Sequence, residues 1–232
     1  MIDIHSHVLP FVDDGSDSVC HSVELIRNEI AAGVTDIIYT PHHRRGFRST
    51  TEEIERARMS LSDKLAEKGV NVRLYPGREI HICPGKNYKE LVKNPENRLC
   101  GGRYVLIEFD FKSEFDISDA VYELKIAGYV PIVAHYERYA YSSLVKAQEI
   151  KAAGGLIQVN ATSLVGKASF KVRRLAKKLI KTGLCDFVAS DCHFGRENKI
   201  KEAYAYVQKI CGKDYAELVF NKNAEKILKE LE

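Results

Sequence analysis

The sequence lacks the marks of several protein classes. No two of its six cysteines are spaced C-x-x-C, which excludes thiolate zinc knuckles and thioredoxin-type redox motifs. No apolar run is long enough to span a bilayer, and the opening Met1-Ile-Asp-Ile-His5 is too polar for the core of a secretory signal. The expectation is a protein with no transmembrane segment and reduced thiols, in a cytoplasm of bacterial type. The net charge is only +3 over 232 residues, too small by itself to argue for nucleic acid or a membrane as partner. No linker, low-complexity segment or composition shift divides the chain. A single domain over 1–232 is expected, a length common for α/β barrels.

What is present is alternation. With 45% hydrophobic and 29% charged residues the chain can bury a sizeable core. Strand candidates fall at 2–5, 36–42, 70–80, 104–111, 130–135, 156–160 and 186–191. Several are near-continuous apolar runs, as parallel strands buried on both faces require. Val19, Val23, Ile26 and Ile30 recur at helical spacing, with Gly33 as C-terminal cap. Further helices are predicted over 51–68, 116–127, 142–153, 169–182, 197–211 and 214–232. Seven β–α units imply a parallel sheet with right-handed crossovers, either a barrel or a strongly curved sheet, with a doubly wound open sheet as alternative. The irregular stretches 10–17, 41–49 and 83–102 are candidate active-site loops. Residues 167–181 form the densest basic run. Val172, Leu175, Ala176 and Leu179 lie within it at i, i+3, i+4 and i+7, so it reads as an amphipathic helix with a solvated charged face.

The chemistry lies at the strand ends. His5 and His7 close the first strand and His42 the second. Glu79 closes the third, Glu108 lies near the end of the fourth and His135 closes the fifth. Asp191 and His193 close the seventh, and Asp14 sits in the first loop. Parallel strand ends share one face, where barrel active sites form. Five of the eight histidines fall at such ends. His21, His43 and His81 read as structural, although His43, beside His42, is a candidate substrate contact. In His5-Ser6-His7 alternate residues of an extended strand point the same way, so two imidazoles can grip one ion. Asp191-Cys192-His193 repeats the spacing, which leaves Cys192 to packing. Four to six ligands suffice for one ion, so this set implies two or three. Imidazole and carboxylate without thiolate suit Mn²⁺, Fe²⁺ or Zn²⁺. Such clusters clamp a phosphoryl group and lower the pKa of water. Arg138, Arg44, Arg45 and Arg196 follow strand ends and are candidate phosphate forks, Arg138 foremost.

Taken together, Met1-Ile-Asp-Ile-His-Ser-His7, Val12-Asp-Asp-Gly15, Thr40-Pro-His-His43, Gly77-Arg-Glu-Ile80, Leu106-Ile-Glu-Phe109, Ala134-His-Tyr-Glu-Arg-Tyr139, Gln158-Val-Asn160 and Ala189-Ser-Asp-Cys-His193 resemble the PHP (polymerase and histidinol phosphatase) superfamily. The similarity is greatest to the bacterial manganese-dependent protein-tyrosine phosphatases of capsule and exopolysaccharide operons, and it runs in order over essentially the whole chain. It implies an α/β fold of distorted (β/α)7 barrel type and three ions. One ion would take His5, His7, Glu79 and Asp191. A second would take Glu79, Glu108 and His135, and a third Asp14, His42 and His193. Asp13 is hard to tell from Asp14 by sequence. Arg138 would bind phosphate, and with His5, His7 and Asp191 it would carry catalysis. Mn²⁺ is the implied metal, with Fe²⁺, Zn²⁺, Mg²⁺ or Co²⁺ as alternatives. The implied substrate is phosphotyrosine, notably in the tail of the autophosphorylating kinase that controls polysaccharide export. The chain departs from the family at Tyr136, where Pro or Ile is more usual, and at His43, where some members have Arg. Oligomers are compatible with the sequence.

A tyrosyl leaving group has a pKa of about 10, so a strong general acid is not required. Phe11, Phe47, Tyr136 and Tyr139 are candidates to hold the phenyl ring. No cysteine is followed by Arg with five residues between them, which excludes a cysteine-based tyrosine phosphatase. A small-molecule PHP phosphatase, such as one cleaving histidinol phosphate, is the alternative. A non-catalytic metal-binding partner of the kinase is an alternative of another class. A nuclease finds little support in the modest charge.

Overall fold

The computed structural model describes residues 1–83 and 87–231. Residues 84–86, inside the loop expected over 83–102, and residue 232, the end of the last expected helix, lie outside the described residues.

The strands are β1 Ile2–Ser6, β2 Asp36–Tyr39, β3 His42–His43, β4 Arg73–Pro76, β5 Glu79–His81, β6 Tyr104–Glu108, β7 Val130–Val133, β8 Leu156–Asn160 and β9 Phe187–Ala189. All neighbours pair in parallel, in the orders β1-β2-β4 and β3-β5-β6-β7-β8-β9. β2 with β3, and β4 with β5, are successive halves of single staves, so the ring has seven. The expected continuous strands 36–42 and 70–80 are each broken. Pro41 has no N–H to extend a ladder. The Glu79 N–H donates across the break to the Pro41 carbonyl at 3.3 Å. Val70 is not strand either: its N–H bonds back to the Leu65 carbonyl at 2.9 Å, in the turn where Gly69 adopts φ 63° to end the preceding helix.

The ring closes between β1 and β9 through sparse bonds. The Asp191 N–H donates to the His5 carbonyl at 2.9 Å and the His7 N–H to the Cys192 carbonyl at 3.2 Å. The Asp3 carboxylate replaces missing backbone pairing by accepting the Ser190 N–H at 3.0 Å.

Helices α1 Val19–Ala31, α2 Thr51–Glu67, α3 Tyr88–Lys93, α4 Ile117–Ile126, α5 Leu144–Ala152, α6 Ala161–Val165, α7 Phe170–Lys181, α8 Ile200–Cys211, α9 Lys213–Glu217 and α10 Asn223–Leu228 connect the staves and close the chain. Their starts are set by side chains that accept orphan N–H groups: Ser18, Thr50, Asp116, Ser143 and Ser169 each cap the third residue onward. Thr50 and Glu53 complete a reciprocal capping box. The last expected helix, 214–232, is interrupted by a π-turn at Leu218–Lys222.

Alternation along the strands sorts the apolar residues into two layers. Ile4, Ile38, Leu106, Ile132 and Ala189 form one cluster with Ala224 and Ile227 of α10. Their strand neighbours Ile37, Val105, Ile107, Val133 and Val188 join a second cluster with helical Ile26, Leu61, Leu124 and Leu179. Burial on both faces is why these strands read as unbroken apolar runs. Ile2 and Phe187, at the N-terminal ends of β1 and β9, share the cluster of α10, so that end of the ring is plugged. The polar side chains collect at the other end.

Candidate metal centre

At the C-terminal ends of the staves His5, His7, Asp14, His42, Glu79, Glu108, His135, Asp191 and His193 converge. Glu79 lies at the middle. Its Oε1 is 2.9 Å from His135 Nε2 and 3.4 Å from His5 Nε2, and its Oε2 is 2.7 Å from His42 Nδ1 and 3.5 Å from His7 Nε2. Asp191 Oδ1 lies 3.7 Å from His5 Nε2 and 3.6 Å from His7 Nε2. Glu108 approaches His42 and His135 at 3.5 and 3.7 Å. Asp14 Oδ1 stands 3.3 Å from His42 Nε2 and 3.7 Å from His193 Nε2. Of the four ligand-capable triads among the described residues whose atoms lie within 4.8 Å of one another, three belong to this centre: His5 with His7 and Glu79, His42 with Glu79 and Glu108, and His7 with His42 and His193; the fourth, Asp3 with Glu29 and Cys192, lies outside it.

Local backbone explains how some of these residues are aimed. The β1–β2 register shifts between Asp3 and Ser6, a bulge that re-aims the residues between them. His135 and Asp191 adopt left-handed conformations, φ 32° and 50°, each two residues past the end of its strand, β7 and β9. Such positions are uncommon outside glycine and cluster where a side chain must be held for function.

A ring of further polar groups fixes the imidazoles. His7 Nδ1 is 2.7 Å from Asp13 Oδ2, His5 Nδ1 is 3.1 Å from Gln158 Oε1, and His193 Nδ1 is 3.0 Å from the Asp191 carbonyl. For His5 and His7 these acceptors take an N–H on Nδ1, so that Nε2 faces the carboxylates and can ligate an ion once it has lost its proton, the arrangement of a metal-ligating histidine. Asn160 Nδ2 donates to Asp191 Oδ2 at 2.7 Å, and Arg138 donates to the same oxygen at 3.0 Å.

The electrostatics point the same way. Burial opposes ionisation of Glu79, yet the imidazoles of His5, His42 and His135 hold its carboxyl well below the ordinary range. Against the same burial, His5 and His193 hold Asp191 low. Burial works to lower His42, but Glu79 and Asp14 push it up to about 9. Asp13, Glu79, Glu108 and Asp191 all have side chains no more than 5% exposed. So much buried negative charge calls for cations. Glu79 Oε2 and Glu108 Oε1 are moreover buried without a well-formed hydrogen bond. The donor set therefore fits divalent ions.

The two adjacent aspartates separate cleanly. The Asp13 side chain is fully buried and accepts from His7, from the His42 N–H at 3.0 Å and from the Gly15 N–H at 2.9 Å, so it supports ligands rather than facing the shared space. Asp14, 41% exposed, reaches His42 and His193. His81, read from sequence as structural, has Nδ1 3.2 Å from Glu108 Oε1 and belongs to the cluster's edge. His21 pairs with Asp17 and stacks on Phe194, outside it. His43 pairs in register with Ile80 and by strand alternation faces away from His42.

Of the arginines, Arg138 and Arg44 reach the cluster, Arg44 through Asp14 at 3.0 Å. Arg196 is exposed at the rim, 3.3 Å from His193 Nδ1, and Arg45 is exposed in the next loop. The expectation that Tyr136 and Tyr139 hold a substrate ring is overturned. Both are 1% exposed, and their hydroxyls donate to the carbonyls of Ser143 and Ala134. Phe47 lies near His42, and Phe11 is 71% exposed at the mouth. Phe111, not foreseen, has the Arg138 guanidinium 4.7 Å above its ring and lines a cleft of about 470 Å³ with Arg138, Asn160, Asp191 and Arg196.

The model of the capsular polysaccharide synthesis family CpsB/CapC matches residues 1–229. The chain belongs to that family. Among its CpsB/CapC relatives is the putative tyrosine-protein phosphatase CapC of Staphylococcus aureus, 35% identical over 83% of this chain and 77% of the relative. The tyrosine-protein phosphatase YwqE of Bacillus subtilis is 30% identical over 99% of this chain and 92% of its own length. A crystal structure of YwqE from Bacillus subtilis and CpsB from Streptococcus pneumoniae, described as metal-dependent tyrosine phosphatases, superposes with TM-score 0.87. It is 29% identical and covers 100% of this chain and 94% of the other.

Proposed function

We propose that this chain is a metal-dependent protein-tyrosine phosphatase. The observation that carries the reading is the set of imidazole Nε2 atoms of His5, His7 and His193. Partners on Nδ1 turn each of them toward carboxylates from other staves. His5, His7, Glu79 and Asp191 would hold one ion, Glu79, Glu108 and His135 a second, and Asp14, His42 and His193 a third, with Mn²⁺ as the resident metal. Divalent ions in such a site neutralise charge on a transferring phosphoryl group and lower the pKa of water.

The chain's own residues do the rest. Arg138, anchored on Asp191 and stacked on Phe111, presents its remaining N–H donors to phosphate oxygens. Arg44, at the Asp14 side, and Arg196, at the cleft rim, flank the same space. The strand walls keep bulk water from the buried carboxylates, where electrostatic effects are larger than in water. No buried acid is assigned to protonate the departing phenolate, whose pKa of about 10 makes one unnecessary. The phosphotyrosine tail of a polysaccharide-export kinase is the proposed protein substrate, and the cytoplasm the proposed place.

The test is a comparison of rates on a phosphotyrosine peptide and on histidinol phosphate, with Mn²⁺ supplied. Faster turnover of the peptide is expected. A wide preference for histidinol phosphate would assign the site to small molecules. Activity surviving both His5→Ala and Asp191→Ala would remove the metal mechanism.

A further inference from the structure

The charge of the chain is unevenly placed. Residues 167–181 hold seven of the 35 lysines and arginines and none of the 32 acidic residues, so the rest carries 28 basic against 32 acidic groups, a net of −4. α7 fixes most of this run on one rigid surface. Its Leu175, Ala176, Leu179 and Ile180 are buried, while Lys171, Arg174, Lys178 and Lys181 are exposed. Among the described residues, none of the seven cations lies within ion-pairing distance of a carboxylate. Lys64, Lys93, Lys146, Lys151 and Lys199 each have such a partner. Beside the cations stands Phe170, 81% exposed, the most exposed large apolar side chain among the described residues.

We propose that the outer face of α7 docks on an anionic lipid bilayer. Like-charged groups held together without counter-ions favour a surface of dense negative charge, and each Lys or Arg close to an acidic leaflet adds attraction. An acidic or phosphorylated peptide would also use the cations, but it gains little from a protruding phenyl ring. The headgroup boundary uses both, because it accepts an aromatic side chain next to basic ones. The helix is roughly 18 Å long, a flat footprint of several headgroups. No described helix is long and apolar enough to cross a membrane, so the contact is peripheral. The docked orientation follows from the fold. Lys167 and Ser169, just before α7, and Val172 in its first turn also line the cleft that holds Arg138 and Asp191. Docking therefore brings the cleft mouth close to the lipid surface, where membrane-tethered chains are within reach.

The experiment is co-sedimentation of the full chain with vesicles of phosphatidylcholine alone or mixed with phosphatidylglycerol. Pelleting is expected only with the anionic mixture, and it should be reversed by high salt. The charge reversal Arg174→Glu with Lys178→Glu and Lys181→Glu should weaken it by at least about tenfold, and Phe170→Ser should weaken it further. Both variants lie away from the metal cluster, so circular dichroism and hydrolysis of p-nitrophenyl phosphate should be unchanged. Equal pelleting with both vesicle types, or binding untouched by the charge reversal, would overturn the proposal. Capture by a multiply phosphorylated peptide with no pelleting on anionic vesicles would also overturn it and make the face a peptide surface.

Discussion

Asp13 Oδ2 lies 2.7 Å from His7 Nδ1 while Asp13 Oδ1 accepts the Gly15 N–H at 2.9 Å, so one carboxylate holds both an imidazole of the cluster and the loop that covers it. The same Oδ2 also accepts the His42 N–H at 3.0 Å. Every lone pair needed is supplied by oxygen. An asparagine has a single acceptor oxygen, and its amide would face an N–H donor. Asp13→Asn should therefore lower metal affinity and turnover together, by about 10- to 100-fold. Metal content measured after dialysis and the rate at saturating Mn²⁺ check this. An unchanged metal content would show that Asp13 does not orient His7.

Gly15 packs against the backbone and Cβ of the same histidine. A Cβ at this position would stand 2.2 Å from His7 Cβ and from the His7 carbonyl oxygen. Neither neighbour can yield without moving the strand end. Gly15→Ala should cost a large part of the activity while leaving the far end of the ring, plugged by α10, intact. Activity at the parental level would refute the close approach.

Arg138 makes a charged contact to Asp191 and stacks on Phe111, so it is held in place before any phosphate arrives. Arg138→Ala should raise KM for phosphotyrosine and lower kcat/KM by roughly tenfold or more, the loss expected for a charge-assisted hydrogen bond. Arg138→Lys should recover little, because an ammonium lacks the fork. Steady-state kinetics with the metal-loaded protein distinguish these outcomes.

Asp3 and Glu29 set a pH dependence of stability. Burial pushes Asp3 up to about 6, and burial together with the Asp3 charge pushes Glu29 well above its ordinary value. Both groups bind protons more tightly folded than unfolded. Their contribution is thus complete below about pH 4 and is lost as pH rises through 6 and beyond. Thermal melting should fall across that interval, and Glu29→Gln should flatten the fall. A variant that tracks the parent at every pH would show that Glu29 carries no such linkage.

Much of the centre was legible because strand alternation is a strong constraint. His5-x-His7 and Asp191-x-His193 needed only the period of two to be placed on one side, and Cys192 fell into the core as that period demands. The same rule applies to Gln158-x-Asn160, whose side chains contact His5 and Asp191, but amides carry no metal signal of their own. Asp13 and Asp14 could not be separated, since loop geometry decides which carboxylate turns inward. Tyr136 and Tyr139 were misplaced for a related reason. The short 3₁₀ turn Tyr136–Arg138 buries both rings while leaving Arg138 at the cleft, a rotation no linear pattern reveals. The division of the second and third staves was not foreseen, because 36–42 and 70–80 each read as one strand although Pro41 has no N–H to extend a ladder. α3 was missed because six residues give too little periodicity to rise above a loop.

The seam between the first and last staves is joined by an isolated bridge between Ser6 and Cys192 and by the backbone bonds from Asp191 to His5 and from His7 to Cys192, and the residues lining it include His5, His7, Asp191 and His193. An ion gripped by His5, His7 and Asp191 would fasten segments that lie more than 180 positions apart along the polypeptide, much as a rivet joins the two ends of a hoop. Loading with metal should thus raise the melting temperature as well as the rate, since a ligand that binds only the folded form shifts that equilibrium. Chelation should first loosen the amino-terminal stave, which hydrogen exchange at residues 2–7 would register before the rest of the ring opens.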